Sequence, residues 1–284
     1  MSTLEKIKTI IFTSIFSFIS CNNRTDKYFG HFKKPKTLIK LKELQDKKIV
    51  DWYDLEFGIA YDVHYSVTPL DVIPFARTGS NGIHFGFLTD FNNVTNLDNA
   101  YIVSVATSYD PPVNIVAENI DEFLSMVITA ESSVLLADIY KSDKDFENRK
   151  QEWDSDDLYK QDRENTIELL QNEFKSIKLI QLVERVNQIR KKRDSSITIK
   201  TMDGIGIICK ENSTIQEFNY SENPNEVKLF LETANKQSRI KFYRNATFRY
   251  ILSKNYDDEI RNTIIDFLKK DGFLREARIL KECY

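Results

Sequence analysis

The stretch "IPFARTGSNGIHFGFLTD" (residues 73–90) decides how this chain is read. Three glycines, Gly79, Gly82 and Gly86, follow an apolar run, and Arg77, Asn81, His84 and Asp90 lie among them. Glycines beside polar side chains suit a phosphate loop, a small active site or a tight hairpin. A phosphate loop needs G-x-x-x-x-G-K-[ST] leading into a helix, and a dinucleotide site needs G-x-G-x-x-G at a helix start. No lysine follows these glycines. Instead "IHFGFL" (83–88) alternates with the period of a strand, Ile83, Phe85 and Phe87 on one side and His84, Gly86 and Leu88 on the other. A strand lacks the free amides with which a helix N-terminus holds phosphate. Asn81-Gly82, by contrast, is the preferred pair for the positive φ angles of a two-residue turn. The stretch therefore predicts a hairpin, with no phosphate-bearing cofactor. Gly86 inside the outgoing strand predicts a bulge or the close approach of another backbone.

Outward from the hairpin, "DLEFGIAYDVHYSV" (54–67) and "YIVSVAT" (101–107) share its short, aromatic, β-branched texture and predict a small sheet over 55–117. Helices are predicted at 3–20, at 37–48 behind Pro35, and over 119–140, where Asn119 and Glu122 form a capping box. Residues 141–165 are dense in charges of both signs and read as a domain boundary, with Phe146, Trp153 and Leu158 as anchors if helical. Residues 166–193 read as one strong helix, with Leu169, Phe174, Ile177, Ile180 and Val183 returning near one face. Its "RKKR" (190–193) reads as a solvated helix end, where cations suit the macrodipole.

The last ninety residues predict a second β and α set. "ITIK" and "GIGIICK" flank a hairpin turning at Gly204, and "IQEFNY" (215–220) reads as a third strand. Asn223 caps a helix starting at Pro224, and "RIKFYR" and "TFRYIL" (239–252) flank another hairpin. A closing helix runs over 257–270, with Asp257 as cap and Gly272 past its end. The predicted class is α+β: a bent, mainly antiparallel sheet flanked by helices (1–140), a charged helical connector (141–194) and a smaller α+β C-terminal domain (195–284).

Composition narrows the function. A chain of 284 residues that is 41% hydrophobic and 29% charged suits a globular protein with a real core. Its net charge of −3 argues against nucleic acid as the main partner, since phosphate binding needs a basic surface. Cys21, Cys209 and Cys283 are scattered, which fits a reducing cytoplasm and no disulfide framework. The three histidines have no metal-ligand spacing, so no metal is expected. The apolar run "TIIFTSIFSFISC" (9–21) is too short to span a bilayer. It reads either as an amphipathic helix or as a signal segment whose Cys21 carries a lipid at the cell envelope.

Chemistry-bearing residues are few. His64 and His84 face each other if their strands pair, with Asp62 or Asp71 to orient them, but no nucleophile has a fixed relation to them. Packed histidines are the simpler reading. Asp90, Asp98 and Asp110 lie on predicted loops, match no EF-hand pattern and read as solvated surface. An enzyme reading falls back on the C-terminal half, near Asp203, Cys209 or Tyr220, and needs a deep pocket with convergent polar groups there.

"DVIPFARTGSNGIHFGFLTD" (71–90) followed by "YIVSVATSYDPPVNIVAENIDEFLSMV" (101–127) resembles a bacterial branch of the SUKH superfamily, relatives of the yeast Smi/Knr cell-wall assembly regulator. The resemblance spans about residues 37 to 130. It rests on the strand ending in "IPF", the glycine turn, the aromatic strand, "YIVSV", the "DPP" bend and the helix "AENIDEFL". A Leu-Pro helix with a following Asn-Gly is missing, Arg77 replaces an aromatic residue before the turn, and residues 145–284 have no counterpart. The resemblance implies a sheet flanked by helices. It also implies an immunity protein, or antitoxin, that binds and neutralises a cognate polymorphic toxin such as a nuclease, without catalysis and without a cofactor. Candidate partner-binding residues around the turn are Asp62, His64, Arg77, Asn81 and Asp90.

Overall fold

Asn81 and Gly82 take positive φ angles, 51° and 65°, and the Ile83 amide donates to Ser80 O at 3.1 Å. This is the predicted reversal. It sits at the tip of a wider loop, because strand pairing stops at Arg77 and His84, and the Thr78 amide bridges to Ile83 O at 3.1 Å. In the computed structural model the described residues are 26–284, except 52, 139, 155–159, 212, 221 and 222. The expected helix at 3–20, Cys21 and Leu158 lie outside them.

Five strands form one antiparallel sheet in chain order: β1 (Gly58–Ile59), β2 (Val72–Arg77), β3 (His84–Leu88), β4 (Ile102–Val105) and β5 (Val113–Ala117). The fold class is α+β, as predicted. Every residue of β3 is buried, so both faces of the sheet are covered. On one face Phe75, Phe85 and Phe87 gather against Phe123 of helix α3 (Ile120–Ala130), with ring centroids 4.9 to 5.3 Å from Phe123 for Phe85 and Phe75. Asn119 caps that helix by accepting from the Glu122 amide at 2.9 Å. Glu122 reaches back one residue further than the box predicts, to the Glu118 amide at 2.7 Å.

The β2–β3 register slips between Pro74 and Ala76, opposite Gly86. A Cβ on Gly86 would lie 2.4 Å from Val72 Cγ1 and 3.0 Å from Ile73 O, so both readings of this glycine hold. Gly86→Ala is expected to lower stability by about 1–3 kcal/mol through overpacking. An unchanged urea midpoint would show that the strands can part at no cost.

Before the sheet come α1 (Asp26–Phe29) and α2 (Lys36–Asp46); after α3 comes the short α4 (Ser133–Ala137). The charged segment is no linker. Its helices α5 (Asp143–Asp154), α6 (Lys160–Glu173) and α7 (Leu182–Asp194) bury Phe146, Leu170, Phe174 and Ile189 in the same core as the sheet, and Trp153 packs on that core half-buried. The single helix expected over 166–193 is broken at 174–181. Side chains of α3 satisfy the interrupted backbone: Ser125 Oγ accepts from the Lys178 amide and Thr129 Oγ1 from the Ile180 amide, both at 3.4 Å. Asp143 Oδ1 then accepts from the Val183 amide at 2.9 Å and starts α7.

The C-terminal part is nearly all helical: α8 (Pro224–Thr233), α9 (Lys236–Phe248), α10 (Asp258–Lys270) and α11 (Leu274–Cys283). The caps at Asn223 and Asp257 form as predicted. Two strand predictions fail, and the hairpin expected to turn at Gly204 forms only in minimal form, with Gly204 at φ 79°. Residues 239–252 form most of α9 instead of a hairpin, 215–220 is no strand, and 197–210 makes a single bridge, Ile199 to Ile207. The cause at α9 is burial on all sides. Phe242 to Thr247 are consecutive buried residues, and a helix enclosed all round loses the one-sided period that identifies it. Its core takes in Leu70 and Phe91 from the sheet half, so the two halves share apolar surface. Among the described residues, no helix is long and apolar enough to cross a membrane.

Candidate functional site

Directly after β3, Asp90, Phe91 and Asn92 all take left-handed backbone, with φ of 47°, 51° and 68°. Such a run is costly for residues with a Cβ and needs compensation. Here the compensation is inward. Asp90 is 1% exposed and holds Arg193 bidentately, at 2.8 and 3.1 Å. The same guanidinium donates to Ile205 O at 2.9 Å and Gly206 O at 2.8 Å. This corrects two expectations. Asp90 is not solvated surface and is not available to a partner, and the "RKKR" end is solvated only in part, since Arg193 is buried.

Arg244 of α9 stands beside this pair, fully buried. Its Nη1 donates to Asp203 Oδ2 at 3.0 Å, its Nη2 to Asp71 Oδ2, and Asp90 Oδ1 lies 4.0 Å from Nη2. Burial pushes the Asp71 carboxyl up to about 6, because Arg244 only partly offsets the lost hydration and the nearby Asp90 and Asp203 charges add to the rise. Burial works against the charge of Arg244 too, but the surrounding carboxylates outweigh it and hold the guanidinium protonated. A further buried arginine, Arg275 of α11, ties the halves by donating to Leu70 O at 2.8 Å and Val72 O at 2.7 Å. A charge so enclosed must be paired, and each of these arginines is.

Above Arg244 opens a pocket of about 260 Å³. The segment before β2 supplies Val67 and Pro69, and the β4–β5 turn supplies Thr107, Tyr109, Asp110 and Pro112. Asp203 and Arg244 also line it, and Thr247, Phe248 and Tyr250 close it from the end of α9. Met202 lies next to this wall, its amide bonded to Asn245 Oδ1 at 2.8 Å. Tyr250 and Met202 are 51% and 40% exposed, high for large apolar side chains.

Among the predicted partner-binding residues, Arg77 and Asn81 are exposed and neither lines this pocket. Asn81 O accepts from Thr107 Oγ1 at 3.4 Å, so the hairpin tip leans on the pocket wall. Asp62 is exposed on the connection from β1 to β2 and is not among the lining residues. His64 is half-buried, with both ring nitrogens enclosed and unpartnered, and its ring stacks on Tyr28 at 6.2 Å. Burial, aided by the nearby Arg275 charge, lowers its pKa to about 3. His64 therefore serves packing and is a poor partner contact.

His84 is fully buried and fully engaged. Thr68 Oγ1 accepts from the Tyr65 amide at 2.9 Å and meets His84 Nε2 at 3.1 Å, while Nδ1 faces Gly82 O at 3.3 Å. The carbonyl needs a donor, so the proton sits on Nδ1 and Nε2 accepts from threonine. Burial lowers its pKa to about 4. No carboxylate orients either histidine, because Asp71 is bonded to Arg244 and Asp62 is exposed. Of the C-terminal candidates, only Asp203 reaches the pocket. Cys209 is buried in the second core and Tyr220 is packed among Phe218 and Phe242. No group of His, Cys, Asp and Glu among the described residues is arranged to hold a metal ion.

Comparison with family models and with curated proteins finds no match. The functional argument therefore stands on the pocket and its surroundings. Sequence reasoning missed Tyr109, Tyr250, Arg193 and Arg244. For Arg244 the one available signal is its setting in "FYRNATF" (242–248), where a lone cation sits among residues with no solvent-facing period.

Proposed function

We propose that the chain is a cytoplasmic, non-catalytic binding protein of the immunity type, which captures a cognate protein toxin such as a nuclease through the pocket face. The observation that carries this reading is the aromatic rim. Tyr109, Phe248 and Tyr250 line the pocket on a frame fixed by buried ion pairs. Tyrosine on rigid backbone is the typical anchor of a protein interface. The pocket is smaller than the roughly 300–1,000 Å³ of small-molecule sites and suits one inserted side chain. The toxin class comes from the SUKH resemblance, and the net charge of −3 favours encounter with a basic nuclease.

The pocket also favours a second reading, an enzyme that uses Asp203. Against it, both Asp203 oxygens are occupied: Oδ1 accepts from Thr201 Oγ1 and the Ile205 amide, and Oδ2 from Arg244. A variant with the same binding role but a lipid on Cys21 is told apart by the intact mass of the native protein.

The test is co-expression with the product of the adjacent reading frame. Wild-type chain is expected to restore growth and to co-purify with that product. The folded variants Tyr109→Ala and Tyr250→Ala are each expected to weaken binding at least about thirtyfold if they are anchors. Failure of the purified wild-type chain to bind that product at micromolar concentration counts against the proposal.

A further inference from the structure

We propose that Asn81 is a site of spontaneous covalent modification, where the hairpin tip converts to isoaspartate while the two Asp-Gly pairs of the chain stay intact. The chain has one Asn-Gly pair, 81–82, and two Asp-Gly pairs, 203–204 and 271–272. All three are open to the same ring closure. A base takes the proton from the glycine amide, the freed nitrogen attacks Cγ of the preceding side chain, and a succinimide forms. Ammonia leaves from asparagine and water from aspartic acid; asparagine is the thermolabile member of the two. Glycine favours the closure because no Cβ shields its nitrogen. Sequence alone therefore marks three candidates, and the hydrogen bonds at each separate them.

At both aspartates the reacting groups are tied. Asp203 Oδ1 accepts from Thr201 Oγ1 and the Ile205 amide, Oδ2 accepts from Arg244, and the Gly204 amide donates to Thr201 O at 3.3 Å. Asp271 accepts from Arg239 and from the Tyr243 hydroxyl, and the Gly272 amide donates to Lys269 O at 3.1 Å. At the hairpin tip the reacting groups are free. Asn81 is exposed, and among the described residues neither its carboxamide nor the Gly82 amide has a hydrogen-bond partner. Closure requires the 81–82 peptide to rotate out of the turn. Asn81 stands in left-handed backbone, φ 51°, which a residue with a Cβ holds with support from its neighbours. Here the support is the turn bond from the Ile83 amide to Ser80 O and the Thr107 hydroxyl, which donates to Asn81 O at 3.4 Å. Water then opens the ring. Attack at the main-chain carbonyl of residue 81 gives isoaspartate, whose added main-chain carbon moves that carbonyl away from Thr107 Oγ1. Attack at the other carbonyl gives an ordinary aspartate. Either product adds one negative charge to the net −3 of the chain.

The experiment is incubation of the purified full chain at mildly alkaline and at mildly acidic pH. Isoelectric focusing reads the charge, an isoaspartate methyltransferase reads the product, and fragment mass spectrometry reads the position. In alkali, a form one charge more acidic is expected to accumulate, to accept methyl groups and to carry the change at residue 81. In acid it is expected to accumulate more slowly, because the Gly82 amide must lose its proton. Asn81→Gln, an exposed change whose longer side chain closes a larger and slower-forming ring, is expected to remove the acidic form. Thr107→Val deletes the hydroxyl on Asn81 O at nearly the same side-chain size and is expected to hasten the conversion. No charge shift in alkali, a shift undiminished in Asn81→Gln, or methylation mapped to Asp203 or Asp271 in the folded chain overturns the inference. An unaltered rate in Thr107→Val overturns the role given to that contact.

Discussion

Replacing Arg244 with methionine is expected to destabilise the protein by about 3–5 kcal/mol, the usual cost of leaving a buried charge without its counter-ion. The position is unusually exposed to this effect. Arg244 is 0% exposed and neutralises two enclosed carboxylates, Asp71 and Asp203, whose side chains are 0% and 2% exposed. Asp71 comes from the residue before β2 and Asp203 from the turn after Thr201, so the loss also loosens the sheet from the C-terminal helices. With typical stabilities of about 5–15 kcal/mol, such a variant is close to unfolding at body temperature. The double replacement Arg244→Met with Asp71→Asn is expected to recover a large part of the loss, because removing the partner charge is cheaper than stranding it. Urea midpoints of the three proteins measure this. A single-variant loss under about 1 kcal/mol contradicts the pairing, since that is the range of exposed pairs.

Acid is expected to weaken the fold, through histidines and not carboxylates. His84 titrates at about 4 and His64 at about 3 in the folded protein, both held neutral mainly by burial. Unfolded histidine titrates near about 6.5. A folded value below the unfolded one means stability is complete above about pH 6.5 and is lost as the pH falls towards the folded values. Asp71 runs the other way. Its folded value of about 6 exceeds the ordinary 3.8, so its contribution is complete at low pH and lost as the pH rises through about 6. Between pH 4 and 6 the two histidines outweigh Asp71, leaving from these three groups a slope of roughly 1.4 kcal/mol per pH unit. Urea unfolding across that range should show falling stability on acidification. His84→Gln, which keeps a polar group opposite Thr68 but cannot titrate, should bring the slope close to zero. Stability that holds level or rises in wild-type protein as the pH falls rules this out.

The hairpin and its sheet were legible because the signals are local. Asn81-Gly82 carries its own turn geometry, and "IHFGF" its own period. The caps at Asn119, Asn223 and Asp257 were legible for the same reason. What failed was set by distant partners. The break at 174–181 continues a helical period in sequence, yet Ser125, Thr129 and Asp143 supply its hydrogen bonds from other helices. Helix α9 alternates polar and apolar residues like a strand in "RIKFYR", and only its enclosure explains why it is helical. Asp90 reads as a loop carboxylate because its partner, Arg193, lies 103 residues away. The pocket shares this cause: its walls come from residues near 67, 109, 203 and 247, and no single stretch announces it.

The most direct measurement is hydrogen exchange on the complex between the chain and the product of its adjacent reading frame. If the pocket face is the recognition surface, added protection centres on the β4–β5 turn (107–112) and the end of α9 (247–250), with a lesser effect at the hairpin tip around Asn81. Protection confined to α5 and α6, with the pocket residues unchanged, contradicts that assignment.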